Sequence, residues 1–298
     1  MQKREFQVSQ GGQVVESSLW VAGFDPYTPE IRLVETASPH RKYDTILVQN
    51  AWNAISKDDF LRELRPYPQS MRVRAYLRRI VARRNMRVSR RVICLTNAVA
   101  TQIFDSTGVC AHVAPVTLPV HHWGNPSRQP ASDMTYALVT GTVTWYKRPH
   151  IALRWVANNL PEIDVVRFAG KDDGSGCWQS VVQLANTLGI RVERVFVKHE
   201  EIYNMYAGAT VTVMPSALES LGFGLSEALM YSNRVVASQI AAHVEVAGRV
   251  GATPEWLGGA ISTPNLHCSK QLINKERALQ EWQNAGRTLG LNMINDSA

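Results

Sequence analysis

Several features are missing from the 298-residue sequence, and each absence argues against a class of protein. No run of about 18 apolar residues occurs, so no transmembrane helix is predicted. The first residues, MQKREFQVSQGG, contain no apolar stretch of the kind that a secretory signal needs. The cysteines form no CxxC pair, which leaves zinc-finger and redox motifs unsupported. We therefore expect a cytoplasmic protein with reduced thiols at Cys94, Cys110, Cys177 and Cys268.

Acidic residues are missing from one long segment. Nine arginines and no acid lie between Arg72 and Arg91, whereas the formal net charge of the whole chain is only +7. Apolar residues recur there at helical spacing, which predicts a helix whose apolar stripe packs on the core. This stripe consists of Val73, Leu77, Ile80 and Val81.

Three interpretations of the basic helix stay open: an ordinary solvated face, contact with an anionic membrane surface, and nucleic acid binding. The last is the least favoured, because no DNA-binding motif accompanies the arginines.

The order of apolar segments predicts an α/β protein built of two lobes. Residues 121–133 combine two prolines with glycine, serine and asparagine, and we interpret them as a linker. We predict an N-terminal lobe over 1–125, a C-terminal lobe over 126–275 and a helical tail over 276–298. In the second lobe, short β-branched runs alternate with helical segments of about ten residues, as in a doubly wound parallel sheet. Ligands bind such sheets at the loops that follow the strands.

The segment MPSALESLGFGLSEAL, residues 214–229, carries the strongest chemical signal. Gly222 and Gly224 lie between a strand end and the start of a helix. Unpaired amides and the helix dipole at such a place form an anion site suited to a diphosphate. Glu219 and Glu227 flank this loop. Since carboxylates repel phosphate, we expect them to accept hydrogen bonds from hydroxyl groups, as sugars have.

This segment resembles the donor-site signature of retaining glycosyltransferases with the GT-B fold, in particular glycosyltransferase family 4. TGTVTWYKRPHIAL (140–153) and FAGKDDGSG are also similar to the family's pattern, and the resemblance covers 136–248 well and 72–120 loosely. It implies two Rossmann-like lobes, with an N-terminal lobe shorter than is usual. It also implies transfer of a sugar from a UDP-, GDP- or other nucleotide-diphosphate donor to a hydroxyl of a glycan, lipid-linked or small-molecule acceptor. No cofactor and no metal would be needed.

The resemblance also implies a role for individual residues. Lys147 would hold the donor phosphates, Glu219 would contact the donor sugar near the reacting carbon, and Glu227 would bind the ribose. Gly170 would allow the nucleotide to approach a strand end. The loop amides that hold sugar and phosphate would be those of Phe223, Gly224 and Leu225.

The sequence departs from the family pattern in both halves. Thr142 stands where the family often has a phosphate-binding arginine, and Arg148 is the candidate substitute. Asn50 lies about where the family has a histidine near the sugar. These departures keep alternatives open: a catalytically silent protein that binds sugar nucleotides, or a sugar-nucleotide epimerase or phosphorylase.

Other candidate residues carry weaker signals. Asp172 and Asp173 lack the spacing of a metal-binding pair and are interpreted as turn residues. His121 and His122 are interpreted as linker residues. We expect His243 and Glu245 to lie in the loop after the last strand, where they either shape the loop or contact the donor.

Overall fold

The computed structural model describes residues 31–33, 43, 45–113, 134–197 and 199–257. These residues form two parallel sheets, one on each side of the predicted linker. The predicted boundary at 125/126, the helical tail over 276–298, and His121 and His122 lie outside the described residues.

The N-terminal lobe contains a four-stranded parallel sheet in the order β1-β2-β3-β4. Its strands are Ile31–Leu33, Thr45–Val48, Arg91–Cys94 and His112–Val113. Its helices are α1 (Lys57–Leu64), α2 (Gln69–Val88) and α3 (Asn97–Thr107), and a short 3-10 helix covers Ala51–Asn53. The helix predicted between Arg72 and Arg91 is confirmed as α2.

Helix α2 turns a different face to the core from the one that the apolar pattern predicts. Val73, Leu77 and Ile80 are 54%, 57% and 52% exposed, whereas Arg79 is only 3% exposed. The prediction that the apolar stripe packs on the core is therefore wrong.

The physical reason lies in the turn that follows β2. Arg79 donates hydrogen bonds of 2.7 Å and 2.5 Å to the carbonyl oxygens of Trp52 and Ile55. Its guanidinium also lies 4.5 Å from the centre of the Phe60 ring, in a cation–π contact. Carbonyl groups buried in a turn need donors, and a long cationic side chain supplies them from the helix.

The C-terminal lobe contains a six-stranded parallel sheet in the order β10-β9-β8-β5-β6-β7. Read from β7, this is the doubly wound order in which the first strand lies at the centre, as predicted. The strands are β5 Tyr136–Thr140, β6 Val165–Ala169, β7 Val192–Val195, β8 Val211–Met214, β9 Val235–Ser238 and β10 Glu255–Leu257. The helices are α4 Pro149–Asn159, α5 Cys177–Leu188, α6 His199–Gly208, α7 Phe223–Tyr231 and α8 Ala241–Val250.

The end of this lobe differs from the prediction. His243 and Glu245 lie in helix α8, not in a loop, and strand β9 is followed by one more strand. Ala242, Val246 and Ala247 form the buried face of α8 at helical spacing. The helix is short, and its polar residues at 243 and 245 hid that spacing in the sequence.

The two lobes meet at the carboxyl ends of their sheets. Ser220, in the loop after β8, accepts a hydrogen bond of 2.9 Å from the Ala51 amide and donates one to the Gln49 carbonyl. Its own carbonyl oxygen accepts a bond of 2.9 Å from Thr96. The loops that follow strands of the two sheets therefore meet in one shared region.

No helix among the described residues is long and apolar enough to span a bilayer. No cluster of three or more histidine, cysteine, aspartate or glutamate side chains suited to a metal ion occurs there either.

Candidate functional site

The candidate site lies where the strand order of the C-terminal sheet reverses. Strands β5 and β8 are neighbours, while β6 and β9 continue the sheet in opposite directions. The loops that follow β5 and β8 therefore leave the sheet side by side, which opens a crevice between them. Lys147 lies in the first loop and Glu219 in the second, so the topology brings two predicted site residues together.

Lys147 and Glu219 form an ion pair through Nζ and Oε1. Ser216 donates a further hydrogen bond of 2.8 Å to the same carboxylate oxygen. Burial alone would raise the pKa of Glu219, but Lys147, His243 and the two hydrogen bonds outweigh it and lower the pKa. The carboxylate is therefore ionised at neutral pH, and the lysine that is predicted to bind phosphate already holds an anionic partner.

The glycine loop leads into helix α7 without a side-chain cap. Gly222 has a φ of 76°, a backbone conformation that suits glycine, and its carbonyl oxygen accepts the amides of Leu225 and Ser226. The first-turn amides of Phe223 and Gly224 have no partner within the helix. Of the three amides predicted to hold the donor, that of Leu225 is thus already engaged, and the other two remain suited to an anion.

Gly224 lies in close contact with the ends of the central strands. A Cβ atom at this position would lie 2.9 Å from Cε of Met214 and 3.2 Å from Oγ1 of Thr140. Both neighbours lie on the carboxyl ends of the central strands. The start of α7 therefore sits directly on the sheet edge.

Glu227 lies one turn into α7, on the far side of the glycine loop. Its Oε2 accepts a hydrogen bond of 3.1 Å from the hydroxyl of Tyr206, which is itself 2.9 Å from Oγ1 of Thr140. Burial raises the pKa of Glu227 to about 7, and the bond from Tyr206 only partly opposes this shift. A carboxylate with few donors around it has spare acceptor capacity, as the predicted contact with ribose hydroxyls requires.

Gly170 has a packing role that the sequence did not indicate. A Cβ atom there would lie 2.0 Å from the carbonyl oxygen of Gly141, in the loop after β5. The amide of Gly141 also bonds to the Ala169 carbonyl at 3.0 Å. Gly170 therefore lets the loop that carries Lys147 pack against the end of β6.

Arg148 points toward the N-terminal lobe. Its guanidinium lies 2.9 Å from a carboxylate oxygen of Glu63 in α1, and its backbone adopts a left-handed conformation with a φ of 51°. Thr142 is exposed in the same loop. In this arrangement, Lys147 is the cation that the loop presents to the crevice.

The remaining candidates have structural partners. Asn50 accepts a bond of 3.0 Å from the Trp52 amide and so caps the 3-10 helix. Asp172 and Asp173 accept amides two residues ahead at 3.2 Å and 2.9 Å, which confirms their interpretation as turn residues. Glu245 accepts the amides of Asn97 and Ala98 at the start of α3, and it thus joins the lobes.

Sequence reasoning missed several residues that shape the site. Tyr206 and Ser220 carry no motif, and each acts through a contact with a distant part of the chain. Ser216 could have been found, because it lies three residues before Glu219 in the PSALE segment. His243 was named, but its burial behind the glycine loop was not foreseen.

The sequence matches no family model. It is similar to D-inositol 3-phosphate glycosyltransferase from Mycolicibacterium smegmatis, with 33% identity over 114 residues. That match covers 37% of this chain and 26% of the relative, so the chain matches about a quarter of the relative's length.

Solved structures give a broader match at low identity. WaaG, a glycosyltransferase involved in lipopolysaccharide biosynthesis, superposes with a TM-score of 0.59 at 12% identity, over 97% of this chain and 80% of WaaG. HepE from Anabaena, solved with UDP and glucose, superposes with a TM-score of 0.57 at 15% identity, over 94% of this chain and 78% of HepE. The chain therefore has the two-lobed GT-B fold that its sequence predicts.

Proposed function

We propose that this protein is a retaining glycosyltransferase of family 4, which moves a sugar from a nucleotide-diphosphate donor to a hydroxyl group. The observation that carries the proposal is the ion pair of Lys147 with Glu219, in the loops that follow β5 and β8. Glu219 lies four residues before Phe223, the first residue of α7, and that helix has no side-chain cap. A cation and free amides suit a diphosphate, and a buried carboxylate beside them suits sugar hydroxyls.

The chemistry follows from the charges. When the bond between the anomeric carbon and the phosphate oxygen breaks, negative charge develops on the leaving diphosphate. Lys147 and the amides of Phe223 and Gly224 would stabilise that charge, which is the most effective form of catalysis for such a step. The carboxylate of Glu219 is tied to Lys147 and Ser216, so it suits positioning of the sugar better than attack on it. We also propose that no divalent metal takes part.

The test is release of nucleoside diphosphate from UDP- and GDP-sugars, with and without glycan and lipid-linked acceptors. We expect Lys147→Met and Glu219→Gln each to lower turnover by about a hundredfold, within the range for loss of a transition-state contact. EDTA should leave the rate unchanged. Turnover that EDTA abolishes and Mn²⁺ restores would contradict the metal-independent mechanism.

A second function, binding of sugar nucleotides without catalysis, is favoured by one observation. Arg148 pairs with Glu63, and Thr142 offers no cation, so a single lysine faces the diphosphate in this loop. Binding of a donor with neither hydrolysis nor transfer would select this function. Conversion of one free sugar nucleotide into another would instead select an epimerase, and a requirement for inorganic phosphate would select a phosphorylase.

We further propose that helix α2 contacts an anionic membrane surface. Val73, Leu77 and Ile80 are more than half exposed, and arginines surround them. Six of the nine arginines are exposed: Arg72, Arg74, Arg78, Arg84, Arg87 and Arg90. Apolar side chains within a basic face are typical of helices that lie in the headgroup region, and such contact would bring the site to a lipid-linked acceptor.

Vesicle sedimentation tests the membrane contact. We expect binding to vesicles with anionic lipid at low salt, weakened at physiological salt, where the Debye length is about 8 Å. Each exposed arginine contributes about 1 kcal/mol at most to the free energy of membrane binding. Replacing Arg72, Arg74, Arg78 and Arg84 together with glutamine should therefore abolish sedimentation with the vesicles. Leu77→Ser with Ile80→Ser should weaken it less. If the wild-type protein does not bind anionic vesicles at low salt, or binds nucleic acid more tightly than vesicles, the proposed membrane contact is contradicted.

A further inference from the structure

The loop that carries Lys147 is in contact with both lobes. It ends in a short 3-10 helix, Trp145–Lys147, and the side chain of Trp145 packs within the C-terminal lobe. Three other residues of the loop contact the N-terminal lobe: Thr144, Tyr146 and Arg148. They lie on both sides of Lys147 in the chain. The position of the lysine therefore depends on the N-terminal lobe as well as on the sheet that the loop follows.

The contact at Thr144 is a hydrogen bond between the lobes. Its Oγ1 bonds to the hydroxyl of Tyr67, which lies just after α1. Thr144 is buried, and burial also raises the pKa of Tyr67, so the phenol stays protonated at neutral pH. A hydrogen bond that is shielded from water in this way fixes the loop relative to α1, because neither hydroxyl can exchange its partner for solvent.

The contact at Tyr146 is aromatic. The centres of the Tyr146 and Trp52 rings lie 5.5 Å apart at an interplanar angle of 88°. Trp52 also meets the rings of Phe60 and Tyr67 edge-on, at 5.5 Å and 5.8 Å. Edge-to-face pairs are favourable at these distances. The carbonyl oxygen of Tyr146 accepts the Ala217 amide at 2.7 Å, so this residue is held between the N-terminal lobe and the loop after β8.

The contact at Arg148 is an ion pair between the lobes. Its guanidinium lies 2.9 Å from a carboxylate oxygen of Glu63, whose side chain is only 11% exposed. The backbone φ of Arg148 is 51°, which is unfavourable for a residue with a side chain and persists only where its contacts enforce it. The pair with Glu63 is one of these contacts, and it acts on the residue directly after Lys147.

We propose that Tyr67 and Glu63 of the N-terminal lobe are positioning residues for Lys147. They hold the loop after β5 in the conformation that presents the lysine amine to the donor diphosphate. This assignment rests on the proposed function, since it needs a diphosphate at Lys147. It makes donor binding depend on contact between the lobes, because withdrawal of α1 would remove the supports on both sides of the lysine at once.

The test is calorimetric titration with whichever of UDP and GDP binds the wild type. Tyr67→Phe and Thr144→Val each remove one partner of the hydrogen bond and keep most of the side chain, so both variants should fold. We expect each of them, and the double variant, to bind the nucleotide about fivefold more weakly than wild type. The losses should not add, since all three variants lack the same bond. Glu63→Gln should weaken binding by a similar factor.

Two further variants separate positioning from a general loss of structure. In a Lys147→Met background, Tyr67→Phe should change the dissociation constant by less than about twofold, because the loop no longer carries the group that it positions. The matched control is Asn97→Ala, which removes a hydrogen bond of 2.9 Å to Glu245 at another contact between the lobes. This control should bind the nucleotide as the wild type does.

Each outcome has one interpretation. Wild-type affinity in Tyr67→Phe, or in Glu63→Gln, would overturn the role of that residue and leave the proposed function intact. A fivefold loss that persists in the Lys147→Met background, or that also occurs in Asn97→Ala, would overturn the positioning of Lys147, because the contacts would then act on the fold as a whole. If the wild type binds neither nucleotide, the proposed function fails, and this assignment fails with it.

Discussion

The two lobes differ in how well the apolar pattern of the sequence matches burial. In the C-terminal lobe, the apolar residues of the strands are buried, and the helices turn their apolar faces toward the core. In the N-terminal lobe, helix α2 buries Arg79 and exposes Leu77. The difference shows that apolar periodicity predicts a helix or strand reliably. It predicts the buried face of that element only where the neighbouring core is apolar and contains no buried polar groups that need a hydrogen-bond partner.

The largest expected effect is on the C-terminal lobe, where close backbone packing positions the site. Gly170→Ala would place a Cβ atom 2.0 Å from the Gly141 carbonyl, so the loop after β5 must move. We expect a loss of about 3 kcal/mol or more in the free energy of unfolding, at the upper end for overpacking. Denaturant unfolding measures it.

The matched control is Gly248→Ala, in α8 of the same lobe, where a Cβ atom meets nothing within 4 Å. Because alanine favours a helix, this change should stabilise the protein by about 0.5–1 kcal/mol. Equal stability of the two variants would show that the loop after β5 does not pack against Gly170 as described.

The second effect tests the inverted face of α2. Arg79→Leu leaves the Trp52 carbonyl without this donor, while the Ile55 carbonyl keeps a bond of 2.8 Å from Arg83, and the change should cost about 2–3 kcal/mol. Arg78→Leu on the exposed face should change stability by about 0.5 kcal/mol or less. Thermal unfolding distinguishes them. Equal stability of Arg79→Leu and Arg78→Leu would show that Arg79 is not on the buried face of α2, in agreement with the apolar pattern of the sequence.

The smallest expected effect is the pH dependence of the free energy of unfolding that Glu227 causes. Burial raises the pKa of Glu227 from an ordinary 4.5 to about 7, so the folded protein binds more protons than the unfolded chain between these values. The stabilising contribution of this group is therefore full below pH 4.5 and is lost as the pH rises through 7. Relative to Glu227→Gln, the wild type should lose about 1–2 kcal/mol between pH 4.5 and 8, after allowance for partial exposure. A constant difference between the two proteins from pH 4.5 to 8 would show that Glu227 titrates normally.

The sequence predicted most of the C-terminal lobe, because each strand and each helix there is a short apolar segment bounded by a glycine, a proline or a polar turn. It also named Lys147 and Glu219, and the structure brings them into contact. The pairing itself could not be predicted, since the two residues are 72 positions apart and meet only through the strand order.

The contacts between the two lobes could not be predicted from the sequence either. Ser220 bonds to residues more than 120 positions away in the N-terminal lobe. Glu245 caps a helix of that lobe, although its place in the sequence indicated a loop. Such side chains carry no local pattern, because their partners are set by how the two sheets face each other.

The central claim is that the crevice between β5 and β8 binds a nucleoside diphosphate through Lys147. Calorimetric titration of UDP and GDP into wild type, Lys147→Met and the exposed control Arg154→Met tests it most directly. We predict that one of the nucleotides binds wild type and Arg154→Met alike, and that Lys147→Met weakens its binding at least about tenfold, as expected for a charged hydrogen bond. Binding of neither nucleotide to the wild type, or equal affinity in Lys147→Met, would contradict the account.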